Sequence, residues 1–120
     1  MVDPNIVNVS EWTPKQTSGA LTVTLTTQLL DGVANKTLRI HFFLVSNVDG
    51  TNDATTTITY HDGTNSRALA STINVPAKAS LVIIGGGDVF NLDEGGEIRG
   101  GASAAGDLEY IISYDEIDDA

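Results

Sequence analysis

Apolar and polar residues alternate with a period of two along most of this chain, and Gly, Asp, Asn or Pro breaks the alternation at short intervals. That pattern predicts strands that are half buried, with one face in a core and the other outside. From Ala20 to Leu30, Leu21, Val23, Leu25 and Leu29 share one side, and Thr22, Thr24, Thr26 and Gln28 the other. A turn starting at Asp31-Gly32 runs on through Asn35. The next predicted strand, Lys36 to Asn47, is the most apolar. Strict alternation sets Leu38, Ile40, Phe42 and Leu44 on one face and Arg39, His41, Phe43 and Val45 on the other. Its second half is apolar on both sides, so part of its outer face should be covered by another element or another chain.

A loop, Val48 to Asp53, precedes a Thr-rich strand from Ala54 to His61, in which Thr56, Ile58 and Tyr60 oppose Thr55, Thr57, Thr59 and His61. Asp62-Gly63 is a strong hairpin signal. The chain returns from Arg67 to Val75, with Leu69, Ile73 and Val75 on the core side, and Pro76 stops it. A corner at 76–81 leads into Leu81–Ile84, which Gly85-Gly86-Gly87 ends. Val89–Leu92 follows, then Ile98 bracketed by Gly95-Gly96 and Gly100-Gly101, these glycines being corners. A closing strand runs from Asp107 to Ile117, with Leu108, Tyr110, Ile112 and Tyr114 opposite Ile111. No segment has a helical period. The fold class is therefore all-β, a single jelly-roll-like sandwich of about eight short antiparallel strands. Residues 1–19 carry two of the three prolines and no period. They are expected to form an N-terminal arm, with at most a short edge strand around Ile6 to Val9. The sandwich then spans 20–117, and 118–120 is an acidic tail that frays.

Composition narrows the function classes. At 120 residues the chain suits one core. It contains no cysteine, so disulfides and thiolate metal sites are excluded. The formal charge is −10, from 16 acidic and 6 basic side chains. Such a surface repels phosphates and anionic lipid, which disfavours nucleic acid and membranes as partners. No apolar run is long enough for a membrane-spanning helix, and the first residues lack the pattern of a signal peptide.

Candidate chemistry is sparse. Gly85-Gly86-Gly87-Asp88 lacks the Lys-Ser/Thr of a phosphate loop, and no helix follows it, so these glycines are expected to supply positive φ angles at a corner. His41 and His61 lie on strands without converging partners. Glu97 with Glu109, or Asp93 with Glu94, could be paired as carboxylates, but no cleft is implied around them. Asp49 to Asp53 is rich in oxygen ligands yet lacks calcium-loop spacing, which favours an ordinary turn. No catalytic, cofactor-binding or metal residue is assigned, and no cofactor is expected. Trp12, the only tryptophan, either folds back as a lid or anchors the arm on a neighbouring subunit.

Seven segments carry a resemblance: Val45–Asn47, Thr55–Gly63, Ser66–Ala70, Val75–Gly86, Asp93–Gly96, Ala102–Leu108 and Tyr114–Ile117. A strand ends in Ser-Asn, then a Thr-rich strand ends in Tyr-His-Asp-Gly, and Ser-Arg-Ala-Leu-Ala follows. After Val-Pro-Ala come Ser-Leu-Val-Ile-Ile-Gly-Gly, an acidic-Gly turn, Ala-Ser-Ala-Ala-Gly-Asp-Leu and Tyr-Asp-Glu-Ile. In this order the chain, from about Leu38 on, resembles small structural proteins of tailed-bacteriophage virions, of the capsid cement or decoration type. Members often carry an apolar strand and a Pro-Ala-Gly turn where this chain has Leu30 to Asn35.

The resemblance implies a β-sandwich without enzymatic activity, built in many copies into a virion that is assembled in the bacterial cytoplasm. The leading expectation is a cement protein on the capsid exterior, a homotrimer bridging neighbouring major capsid protein subunits. The expected contact residues are Trp12 in the arm and His41, Phe43 and Val45 on the outer face of Lys36–Asn47. Two alternatives stand beside it: a head–tail or minor tail component, and a carbohydrate-binding adhesion module.

Overall fold

The computed structural model describes residues 9–119. Its nine strands are β1 (Val9–Ala20), β2 (Gln28–Asp31), β3 (Lys36–Asn47), β4 (Ala54–His61), β5 (Ser66–Val75), β6 (Ser80–Ile84), β7 (Phe90–Leu92), β8 (Glu97–Ala102) and β9 (Leu108–Asp119). One sheet, sheet A, has the order β1-β9-β3-β6, with β7 also paired to β3; the other, sheet B, has the order β2-β8-β4-β5. Every pairing is antiparallel.

The pairings have a simple logic. β1 pairs with β9, β2 with β8, β3 with β6, and β4 with β5. The chain is thus a long hairpin folded back on itself at the β4–β5 turn. Rolling that ribbon up brings β9 against β3 in one sheet and β8 against β4 in the other. This is the order of a jelly roll, with β7 as an added short strand.

The core lies between the two inner faces. Leu38, Ile40, Phe43 and Val45 of β3, with Leu108 and Ile112 of β9, meet Ile58 of β4, Ile98 of β8 and Leu29 of β2. Truncating a side chain such as Phe43, which is 0% exposed, should cost about 3–5 kcal/mol. Turn chemistry closes the ribbon where the sequence marks it. Asp62 accepts the amides of Thr64 and Asn65 through Oδ1, and Gly63 takes φ 99°. Gly86 and Gly87 have φ 65° and 95° at the corner after β6, as only glycine does without strain.

Several expectations change. The segment 1–19 does not act as an arm from Val9 onward: it is an edge strand paired with β9 as far as Ala20. The part of the arm from residue 1 to 8, including most of the strand placed at Ile6–Val9, lies outside the described residues, as does Ala120. The strand expected from Ala20 to Leu30 is split by a loop at 21–27, because Leu21 and Leu29 reach the core while Val23 and Leu25 stay 59% and 46% exposed. The acidic end is not a tail: Asp118 pairs with Lys36 and Glu11 in register. Gly100 and Gly101 are not corners either. They lie inside β8, where a Cβ on Gly101 would sit 2.7 Å from Thr24 O and 2.8 Å from Thr22 O. Gly101 is small because the 21–27 loop runs across it, and Gly100 because a Cβ there would sit 2.5 Å from Ile58 Cδ1 in the core. Ala102 N donates to Thr22 O and Gly100 N to Thr27 O.

Candidate contact surface

The most consequential local feature is a bulge in β3. Ile40 faces Tyr114 and Phe42 faces Ser113, so His41 is an extra residue with no partner in the ladder. A bulge shifts every later side chain to the opposite face. His41 and Phe42 both stand outside, between the fully buried Ile40 and Phe43. Phe43 and Val45, expected on the outer face, are 0% exposed in the core. Leu44, expected inside, faces out.

The outer face of sheet A therefore carries an apolar row across three hydrogen-bonded strands. Leu44 on β3 pairs with Val82 on β6 and with Ile111 on β9. Val82 is 56% exposed, and Leu44, Ile111 and the neighbouring Phe42 are half-buried. Beyond Ile111 a shallow open groove is lined by Ser18, Gly19, Ala20, Ser46, Glu109 and Tyr110. Below the row sit charges: Arg39 Nη1 lies 3.5 Å and His41 Nε2 3.9 Å from the Asp115 carboxylate. Trp12, 48% exposed on β1, is paired with Ile117 and is not packed against the core cluster, so it forms no lid over that core. Of the four expected contact residues, Trp12 and His41 lie on the surface, and Phe43 and Val45 do not. Phe42 and Leu44, expected on the core side, face outward instead, and the two-sided apolar run FFLV was their one signal; Ile111 lies on the face opposite Ile112, as its alternation assigns.

Sheet B presents a different surface. Thr55 and Thr57 line a second shallow depression with Thr72, Ala102, Ser103 and the exposed Val23 and Leu25. Thr72 takes φ 49°, an unusual conformation for a β-branched residue, and its amide donates to Thr57 Oγ1 at 3.0 Å. It lies where β5 carries one residue more than β4 between the Thr56–Ile73 and Ile58–Ala70 pairs.

The polar clusters named from sequence resolve into structural roles. Asp49 Oδ1 accepts the amides of Thr51 and Asn52, which hold its carboxyl below the usual range, and buried Asn47 Oδ1 accepts the Asp49 amide. The 49–53 loop is thus an Asx-type turn. Glu97 pairs with Arg99 and accepts from Gln28 Nε2, while Glu109 lies away from it on the other sheet. His61 bonds Ser66 across the hairpin. Among the described residues no group of three or more His, Asp or Glu side chains is arranged to hold a metal. Four of the six basic side chains, Lys15, Lys36, Arg39 and Arg99, are engaged by carboxylates, so the surface field is acidic.

No protein-family model matches the chain, and no curated protein matches it in sequence.

Proposed function

We propose that this protein is a non-enzymatic structural component of a tailed-phage virion, a capsid cement that binds the major capsid protein shell from outside. The observation that carries this reading is the row Val82–Leu44–Ile111, with Phe42 beside it. It spreads apolar side chains over three rigid, hydrogen-bonded strands rather than over a loop. A sheet face of this kind suits a broad protein partner better than a small molecule. The strand-and-turn resemblance to virion proteins supports the same reading, and the jelly roll is an architecture common among viral shell domains, which is an argument by analogy only. A net charge of −10 favours a basic partner surface, so attachment should weaken as salt rises. Many copies bound side by side on a lattice would hold through avidity even with modest single contacts.

The test is copy number. Quantitative mass spectrometry of purified particles should find the protein at an abundance approaching that of the major shell protein. A handful of copies per particle would place it at the head–tail junction or in the tail, and its absence from particles would end the proposal.

A further inference from the structure

The connection between β1 and β2 holds a conflict between local sequence and observed conformation. Residues 20–30 alternate as a continuous strand would, yet 21–27 is folded into a loop that leaves Val23 and Leu25 exposed. Such a disagreement marks a segment with a second conformation within reach. The strand it tethers is also weakly attached. From Trp12 to Ala20 no side chain of β1 is buried, so the core holds none of them. β1 is fastened by its ladder with β9 and by a clamp. Glu116 of β9, 7% exposed, receives Lys15 Nζ from β1 at 2.9 Å and Lys36 Nζ from β3 at 2.7 Å.

We infer that β1 is an exchangeable strand: it leaves β9 of its own chain and takes the same place on β9 of a second copy, while residues 22–27 straighten as the hinge. The occupant is set by identity of sequence. No other segment reproduces the eleven-position register from Val9–Asp119 to Ala20–Glu109 together with the Lys15–Glu116 clamp, whereas another copy's β1 reproduces all of it. Straightening the hinge opens the Thr27–Thr24 turn, the Ala102–Thr22 hydrogen bond and the Thr22, Thr24 and Thr27 side-chain bonds, while Gly100–Thr27 stays. Leu21, buried in the core and bonded to Leu108 and Gly106, travels with β1 and remakes those contacts in the second copy. Six residues in extended form span about 20 Å, enough to cross between adjacent molecules. Exchange of an identical element is a low-cost route to association because each contact broken within a chain is remade between chains. This inference stands whether or not the protein is a capsid component.

Native cysteine is absent, so a cross-linking test has no background. Gln16 and Ser113 face each other across β1–β9 on the outer side. One population carries Gln16→Cys and the other Ser113→Cys; they are mixed at high concentration, incubated, and oxidised. A control mixture replaces Ser113→Cys by Ser71→Cys, exposed on sheet B. Registered thiols meet at an effective concentration near millimolar, so disulfide-linked heterodimers should exceed the control by about tenfold or more. Adding Glu116→Gln to both populations should speed their appearance. Heterodimers no more abundant than the control would overturn the exchange, and an unchanged rate with Glu116→Gln would overturn the clamp's part in it.

Discussion

Gly101 shows how a single residue decides where the chain can pass. Its missing Cβ lets the backbone of Thr22 to Leu25 lie directly on β8, with the would-be atom 2.7 Å from Thr24 O and 3.0 Å from Leu25 Cα. Backbone cannot give way as a flexible side chain can. Gly101→Ala should therefore destabilise the fold by about 1–3 kcal/mol, and hydrogen exchange should show the Ala102 amide losing protection first. Thr72 is the opposite case, a residue with more side chain than its φ of 49° favours. Left-handed backbone costs an L-residue about 1–2 kcal/mol, and glycine gives back about half of that in chain entropy. Thr72→Gly should raise the denaturation midpoint, by about 0.5–1 kcal/mol, and an equal or lower midpoint would show that the strain is absorbed elsewhere.

At the scale of elements, strands are legible from alternation, but their phase is not. Leu108, Ile112 and Ile111 fall on the sides the pattern assigns because β9 is unbroken against β3 from Phe42 to Asn47. One inserted residue at His41 reverses β3, where FFLV is apolar on both faces and offers no polar residue to mark the bulge. In β5 an irregularity likewise sets Ala70 rather than Leu69 opposite Ile58, whereas Ile73, on the face of Val75 and opposite buried Thr56, is 40% exposed at the sheet's edge strand. The Thr and Val of 21–27 alternate just as a strand does, and it is Gly101, far along the chain, that makes room for a loop there. β1 was obscure for another reason: an edge strand with no buried side chain from Trp12 to Ala20 has no apolar period to read there. Its attachment has a pH signature. The Lys36 hydrogen bond, then that of Lys15, holds the Glu116 carboxyl below the ordinary glutamate range. A carboxyl depressed on folding contributes stability that is complete at and above about pH 5 and is lost as pH falls through the depressed value. Wild type should lose β1 protection on acidification before it loses the core. Glu116→Gln should lack that early step and start with β1 already less protected, at a cost of about 1–3 kcal/mol. Identical acid profiles for the two proteins would contradict this role.

For the molecule as a whole, the sheets divide the work. Their inner faces make one core from strands distant in sequence, and the order β1-β9-β3-β6 over β2-β8-β4-β5 follows from one ribbon wound on itself. The outer face of sheet A is left with apolar side chains on its most continuous strands, in an otherwise acidic surface. Of the side chains expected on the outer face of Lys36–Asn47, His41 faces outward, and beyond the bulge Phe42 and Leu44 do so in place of Phe43 and Val45. A charge placed there separates contact from folding, since Leu44 is half-buried and outward whereas Phe43 is wholly inside. The most direct measurement is binding of purified protein to particle shells stripped of it, comparing wild type with Leu44→Glu at matched folding by circular dichroism. Wild type should saturate the shell in many copies, and Leu44→Glu should bind at least about tenfold more weakly, as a buried apolar contact worth 1.4 kcal/mol or more requires. Equal binding by the two, or none by wild type, would contradict the account.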